Sequence, residues 1–573
     1  MKSGLQTLLA YQWKYRKLVL PGLLLLLSSD AGQLIAPLIV ARIIDALAAP
    51  HPSQGPIDRL CWQLFAVAAW IFASRFLWRH FMFSAARQAE MEIRNRLLEQ
   101  VLRLPSSYFT RTRTGEVMAL ATNDLVSVRT ALAMGIVAGF DSSVLAAATL
   151  VIMAWMDWRL TLWTVLPFPM LALVMAVGLS LSYKRWDAVQ KSVEHLTEKV
   201  RESLAGMRVL KAYVQEAGDL EDFEQTNRAN YESNMAYVRI DALYQPAIVV
   251  LAGSSVAILI AVGGADVVSG QLSLGKFNAF MAYLGMLTWP MIAAGWMVSL
   301  VQRGAVSMGR IQTMLALPPE EAGGTELDLR GALEARHLTF TYPEAAAPAL
   351  VDFSFRLEPG QSLGIVGEVG SGKSTLALLL GRIYDPPPGT LFLDGQDVRE
   401  LSLSSLRRAI SWVPQEAFLF SETIEENLRL GHFEAAPEEL RRMAAVAALE
   451  NEILEFPAGY ETMLGERGIT LSGGQKQRLC LARALLKPAP VIVLDDTLSA
   501  VDSESERAIL AELRGALAGR TAVVISHRAS SVRDLDHILV LEGGRIVQQG
   551  RHAELVAQRG YYKDMVELQE LEK

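Results

Sequence analysis

The sequence predicts two domains of different kinds, an all-α membrane domain with six spanning helices and, after it, a mixed α/β domain. Three observations predict this. Six apolar stretches of spanning length fall within the first 320 residues. A glycine-rich loop flanked by an apolar strand and an apolar helix follows in the remainder. Charge divides at the same place: residues 1–320 carry 28 Lys and Arg against 23 Asp and Glu, and residues 321–573 carry 26 against 38. The net charge of −7 over 573 residues is therefore the sum of a basic, apolar half and an acidic, mixed half. At 51% hydrophobic and 20% charged, the chain is too apolar for a disordered or nucleic-acid-binding tail protein. It also carries less charge than the ~25% of an average soluble chain.

The elements follow in order. Residues 1–18 open with Leu5, Leu8, Leu9 and Tyr11 or Trp13 among Gln and Lys, an amphipathic pattern suited to a surface-lying elbow helix. A cleavable leader is the other reading. It is disfavoured because the apolar run continues to spanning length with no suitable cleavage site. Spans are expected near 19–45, 62–84, 131–156, 159–182, 243–267 and 277–301, since about 20 apolar residues cross a core of about 30 Å. Short loops join spans 1–2, 3–4 and 5–6. Long polar, helix-favouring connections, Arg87–Thr130 and Tyr183–Asp241, join spans 2–3 and 4–5. They hold most of the basic residues, which places them and both chain ends on the cytoplasmic side. Lys14, Arg16 and Lys17 before span 1 agree.

Ionisable groups at membrane depth are costly and usually face an interior. Asp30 in span 1, Arg75 and Arg79 in span 2 and Asp141 in span 3 are such groups. Asp30 and Arg75 form either a structural ion pair or part of a substrate cavity. Span 6 carries Tyr283, Trp289 and Trp296 around Pro290, read either as lipid-facing packing or as cavity lining. Cys61 and Cys480 lie far apart in dissimilar regions and read as reduced packing residues.

The membrane domain is expected over 19–316, a Pro/Gly/acid linker over Leu317–Gly331 and the second domain over 332–573. In that domain the strand Ser362–Val366 runs into Gly367, Glu368, Val369, Gly370, Ser371, Gly372, Lys373, Ser374 and Thr375, then into the helix Leu376–Leu380. This is a phosphate-binding loop in its strand–loop–helix context. Its N–H groups cradle phosphate, Lys373 neutralises the β/γ-phosphates and Ser374 offers a hydroxyl to Mg²⁺. A second buried strand, Val491–Leu494, ends in Asp495, an acid suited to Mg²⁺. Leu471, Ser472, Gly473, Gly474 and Gln475 precede Lys476-Gln477-Arg478 and a helical run, which again exposes N–H groups at a helix start.

Together these motifs resemble those of an ATP-binding cassette (ABC) transporter half of the exporter type, and the resemblance covers essentially the whole chain. The text Leu104–Phe109, Gly115–Met118 and Thr122–Asp124 is similar to the MdlA-like multidrug-resistance branch. The resemblance implies a six-helix membrane domain fused to a P-loop NTPase domain of ABC type, with ATP and Mg²⁺ as ligands. It implies that Tyr342 stacks on adenine, that Gln415 contacts Mg²⁺ and senses the membrane domain, and that His527 reaches the γ-phosphate. By the same resemblance Glu466-Arg467-Gly468 touches the cytoplasmic helices, Ser499 through Asp502 form the D-loop, and turns around Gly115–Asp124 and Val214–Glu224 couple the domains.

One departure stands out. The family normally places Glu after the Mg²⁺ aspartate to polarise the attacking water, and Asp496 stands there. Asp is one methylene shorter, and misplacing a reactive group by about 1 Å can cost roughly 10²-fold in rate. In this family each ATP lies between one subunit's P-loop and the other's LSGGQ. An intact signature beside a shortened carboxylate therefore predicts one half of a heterodimer whose own P-loop site hydrolyses slowly. A homodimer working through Asp496 is the alternative. The expected activity is ATP-driven export of amphipathic drugs, lipids or peptides across the cytoplasmic (inner) membrane, with no nucleic-acid partner. Import on the same scaffold, an ATP-gated channel and a soluble ATPase are the competing classes, and the six spans disfavour the last. The chain leaves no room for an N-terminal peptidase domain, so processing-coupled peptide secretion is not expected.

Overall fold

The computed structural model describes residues 2–50, 52–320, 323–343, 345–465, 468, 471–501 and 503–571. The chain forms two compact units. The first comprises Met1–Arg103 and Arg113–Pro318, and the second Leu104–Thr112 and Pro319–Lys573.

The first unit is helical. α1 (Lys2–Lys14) leads into α2 (Arg16–Leu47) and α3 (Gln54–Arg103). These are followed by α4 (Thr114–Met156), α5 (Trp158–Ala205), α6 (Glu216–Val268) and α7 (Leu274–Leu315). Among the described residues, α2 to α7 are the six helices long and apolar enough to cross a membrane. Several run far beyond spanning length: α3, with 50 residues, extends about 75 Å at 1.5 Å per residue. The long polar connections are therefore helical continuations of the spans. Between the helices, Leu34, Leu145, Met153, Leu160, Phe168, Tyr283 and Leu287 form a closed core. Trp62, Phe65, Phe72 and Phe76 of α3 instead point outward, as do Leu243, Val249 and Val250 of α6. In water so large an apolar surface is untenable, and in lipid it is the stable arrangement.

Specific contacts fix the helix register. Asp45 at the end of α2 accepts hydrogen bonds from Gly275 N at 2.7 Å and Ser273 Oγ at 2.9 Å, which caps α7. Gly275 is required there, because a Cβ would fall 2.0 Å from the Ala41 carbonyl oxygen. In the polar extensions, buried Glu90 of α3 pairs with Arg87 and Arg94 on its own helix and with Arg129 of α4. Asp124 of α4 pairs with Arg310 of α7 at 2.9 Å and accepts from Ser307 Oγ at 2.7 Å.

The chain breaks upstream of the first expected coupling turn, and both upstream of and at the start of the second, where Val214 turns with φ +55. Short helices lie at Ser106–Arg111 and Met207–Ala212, whereas Gly115–Asp124 begins the continuous α4 and Glu216 already begins α6. Pro105 disfavours helical continuation at Leu104, and Gly206 ends α5. Leu104–Thr112 folds as part of the second unit, and Thr110 Oγ1 lies 3.3 Å from the Tyr384 hydroxyl.

The second unit holds two sheets. β1 (Leu333–Phe340), β2 (Leu350–Leu357), β4 (Leu391–Leu393) and β5 (Gln396–Asp397) form a four-stranded antiparallel sheet in the order β2-β1-β4-β5. β3 (Ser362–Gly367), β6 (Ile410–Val413), β7 (Val491–Asp495), β8 (Thr521–Ile525), β9 (His537–Glu542) and β10 (Arg545–Gly550) form the second, in the order β10-β9-β3-β8-β7-β6. Its strands are parallel except for the β10 edge. β7 and β8 are buried throughout, as strands covered on both faces must be. Around them pack α8 (Lys373–Leu380), α9 (Gly473–Leu486), α10 (Ser503–Ala516) and α11 (Tyr561–Leu571). The segment expected as a linker is tied to this unit from Pro319 on. Glu320 pairs with Arg407, and Asp394 accepts from the backbone N–H groups of Arg330, Gly331 and Ala332.

Candidate functional site

Three neighbouring parallel strands, β3, β8 and β7, deliver their carboxyl ends to one edge of the sheet, where ligands of open α/β sheets bind. β3 ends in Gly367 and passes through the loop Glu368–Gly372 into α8. Gly372 has φ +96, and a Cβ on it would meet the Ala349 carbonyl oxygen at 2.4 Å, so only glycine turns the loop into the helix. Gly370 faces open space. Val369 is highly exposed at the loop tip, and the Ser371 hydroxyl is buried with no hydrogen-bond partner among the described residues. A cradle of N–H groups at a helix start, with an unsatisfied hydroxyl beneath it, suits an oxyanion.

Lys373 is buried, and its ammonium donates to the carbonyl oxygens of Gly367 at 2.9 Å and Glu368 at 2.7 Å. Burial pushes its pKa down, while Asp496 and Asp495 pull it back up. Ser374 Oγ donates to Asp495 Oδ1 at 3.0 Å, which brings a hydroxyl and a carboxylate together at the end of β7. Burial raises the Asp495 carboxyl above its ordinary range; the Ser374 hydrogen bond opposes this and Asp496 adds to it. Among the described residues no group of three or more His, Cys, Asp or Glu forms a ready-made metal cage. Mg²⁺ does not need one, since it favours one or two protein oxygens plus phosphate and water. Ser374 and Asp495 fit that donor set. Gln415 lies exposed two residues past the end of β6, the strand beside β7.

Asp496 is buried and adopts φ +47, a left-handed conformation in which Asp is among the better-tolerated residues. Its N–H donates to Ile525 O at 2.9 Å and its carbonyl accepts from Ser499 Oγ at 2.9 Å, so it is held between β8 and the following loop. His527 follows β8 and is half-buried. Burial and the Lys373 charge lower its pKa, with Asp496 opposing. Lys373, Asp495, Asp496 and His527 thus converge within electrostatic reach of one another. Tyr342 donates to or accepts from Thr375 Oγ1 at 3.0 Å, and its ring lies edge-on to Phe340 and Tyr384.

The signature segment forms the start of α9. Ser472 and Gln475 make a reciprocal capping box, Gln475 N to Ser472 Oγ at 3.2 Å and Ser472 N to Gln475 Oε1 at 2.8 Å. The Ser472 hydroxyl keeps its own proton to donate. Ser472 and Gly473 are exposed while Leu471 is buried beneath them. Gly474 is needed because a Cβ would press to 2.8 Å on Ala500 O. One residue of this region had no role assigned from sequence. Gln477 accepts from Ala500 N at 2.9 Å and donates to Ser499 Oγ at 2.9 Å, linking α9 through Ser499 to Asp496. Its place in the Lys476-Gln477-Arg478 run was the available signal. Asp502, Glu466 and Arg467 lie outside the described residues.

In the first unit, Asp30, Arg75, Trp289 and Trp296 line one cavity of about 270 Å³, with Asp141, Gln33 and Arg79. Asp30 is almost fully buried; its Oδ1 accepts a long hydrogen bond of 3.4 Å from Gln33, and its carboxyl lies within hydrogen-bonding reach of that of Asp141. Among the described residues no ion pair joins it to Arg75. Tyr283 separates from the two tryptophans: it is fully buried and donates to Leu34 O at 2.6 Å.

Residues 19–291 match the family model of the ABC transporter transmembrane region, and residues 350–499 match the family model described as ABC transporter. The chain is 38% identical to the multidrug resistance-like ATP-binding protein MdlA of Escherichia coli, over 94% of this chain and 92% of that one. It is 34% identical to the probable multidrug resistance ABC transporter ATP-binding/permease protein YheI of Bacillus subtilis, over 96% and 94%. Among solved structures it resembles a bacterial Atm1-family ABC exporter with ATP bound, with a TM-score of 0.77 and 26% identity over 97% and 99% of the two chains. Six apolar helices followed by a P-loop domain with its signature segment, matched over nearly full length, have one reading: this chain belongs to the ABC transporter family and is an ATP-driven, membrane-spanning half of the exporter type.

Proposed function

We propose that this chain exports amphipathic compounds from the cytoplasm across the cytoplasmic membrane, as one half of a heterodimer with asymmetric ATP sites. The observation that carries the reading is the group at the β3, β7 and β8 ends, where the phosphate-binding loop, Lys373, the Ser374–Asp495 pair and His527 lie together and the carboxylate after Asp495 is Asp496. The names of relatives, two of them multidrug-resistance proteins, support a drug-like substrate.

In this reading the P-loop N–H groups and Lys373 hold the β/γ-phosphates, Tyr342 packs on the adenine, and Gln415, Ser374 and Asp495 hold Mg²⁺. The metal, when bound, neutralises charge developing on the phosphates. His527 contacts the γ-phosphate and Asp496 polarises water from too far away. Ser472, Gly473 and Gly474 face the ATP on the partner's P-loop. ATP closes the two nucleotide domains and the cavity turns outward. Moving such an equilibrium from 1:99 to 99:1 takes about 5.5 kcal/mol of differential binding, within reach of two nucleotides clasped by both subunits. The cavity around Asp30, Asp141, Trp289 and Trp296 is the substrate site in this reading. Co-expression with candidate partners, co-purification and ATPase assay test the proposal. A stable pair whose turnover depends on the partner's carboxylate is the expected result. Full turnover by this chain alone contradicts it.

A further inference from the structure

The loop that carries His527 is held from two sides. From α10, buried Glu506 pairs with Arg528 and accepts from Ser530 Oγ at 2.6 Å. Arg528 also donates to the backbone carbonyls of Ser499, at 3.2 Å, and Val501, at 3.3 Å. These bonds fix side chains of the loop. Its backbone is held differently. Gln569 of α11 donates from Nε2 to His527 O at 2.8 Å and accepts at Oε1 from Ala529 N at 2.8 Å. The two bonds bracket Arg528 and fix the peptide units on either side of it. Only a carboxamide supplies a donor and an acceptor side by side in this way, and the backbone groups dictate which end is which. The helix that presents Gln569 is anchored by Tyr562, Met565 and Val566, all buried in the core, with the Tyr562 hydroxyl 2.8 Å from His552 Nδ1. Gln569 lies one turn beyond Met565 and Val566 on the same face.

We propose that Gln569 is a positioning residue for His527: its amide locks the backbone after β8 and so aims the imidazole at the γ-phosphate. The proposal rests on the reading that His527 contacts that phosphate. It predicts a selective defect, because the γ-phosphate distinguishes ATP from ADP. The test uses the full chain co-purified with its partner in lipid nanodiscs. Mg-ATPγS and Mg-ADP compete with 8-azido-ATP for photolabelling of this chain's own P-loop. Gln569→Ala is expected to weaken ATPγS about five- to tenfold, the scale of one ordinary net hydrogen bond, with ADP unchanged. Gln569→Glu, which keeps the acceptor for Ala529 N but has no donor for His527 O, is expected to behave alike, and it serves where the alanine variant fails to assemble. In a His527→Ala background, Gln569→Ala should add nothing. Equal loss of ATPγS and ADP, or additive losses in the double variant, would mean a general packing role and overturn the proposal. An effect of His527→Ala without one from Gln569→Ala or Gln569→Glu overturns it alone. No effect of His527→Ala overturns the γ-phosphate reading and the proposal with it.

Discussion

Asp496 is a residue at which two demands meet. The backbone there is left-handed, where Asp is better accommodated than most residues. Water activation in this family asks for the longer Glu. In the proposed reading, the chain satisfies the first demand at the expense of the second. In the assembled pair, Asp496→Asn should therefore lower total ATPase less than about threefold. Ser472→Ala or Gly473→Asp should lower it by roughly 10²-fold, because an oxyanion-type donor lost from the partner's site costs about that much. Steady-state ATPase of the three variants checks this, and equal losses would count against asymmetric sites. The converse change, Asp496→Glu, should raise single-turnover hydrolysis at this chain's own site by about tenfold or more, as measured in a background where the partner's carboxylate is removed. The site residues up to this point were legible in the sequence because each belongs to a short motif with a strand or helix attached. Gln569 was not. It reaches His527 over 42 positions, and nothing local to it signals the contact.

Among the elements, the polar extensions of α3, α4 and α7 depend on a few buried carboxylates. Glu90 is nearly fully enclosed and meets three guanidinium groups, of which Arg129 is the least exposed. Burial works against its ionisation, but Arg129, Arg94 and Arg87 overcome it and hold its carboxyl below the ordinary 4.5. A depressed pKa means the folded state favours the charged form. The contribution is thus complete above the unfolded value and is lost as the pH falls through the lower folded one. Glu90→Gln should cost about 1–2 kcal/mol at pH 7, discounted because Arg87 and Arg94 are largely solvated. Thermal unfolding of the detergent-solubilised protein should show this as a fall of a few degrees, and the gap between variant and wild type should narrow as the pH falls below the ordinary carboxylate range. An unchanged midpoint at pH 7 would show that the cluster is fully compensated by solvent. Element existence was plain in the sequence, because apolar runs of spanning length and glycine-flanked strands are strong signals. Element ends were harder to place. The helices extend into Arg87–Thr130 and Tyr183–Asp241 on polar residues, and the breaks begin at Pro105 and Gly206, before the turns expected at Gly115–Asp124 and Val214–Glu224, although the turn at Val214 falls at the edge of the second. Hydropathy marks where a helix meets lipid; it carries no information on where a solvated helix stops.

At the scale of the whole molecule, the chain joins a cavity able to hold a ligand to a domain able to hold ATP. Asp30 and Asp141 put two carboxyls on the cavity wall, beside Arg75, Arg79 and two tryptophans. Rotation about the helix axis, which brings Asp30, Asp141 and Trp296 to one side, is set by packing and was open in the sequence. If these carboxyls select substrate charge, Asp30→Asn should reduce ATP-dependent uptake of a cationic amphipathic dye into inside-out vesicles several-fold while sparing a neutral one. Unchanged cation transport would remove Asp30 from the substrate site. The central claim, however, concerns the division of labour between two nucleotide sites, and one measurement addresses it directly. The co-purified pair is photolabelled with 8-azido-ATP during turnover, and the nucleotide on each subunit is identified as triphosphate or diphosphate. The account predicts intact triphosphate on this chain's P-loop and diphosphate on the partner's. Diphosphate on this chain's own P-loop, with full turnover in a dimer of this chain alone, would contradict it.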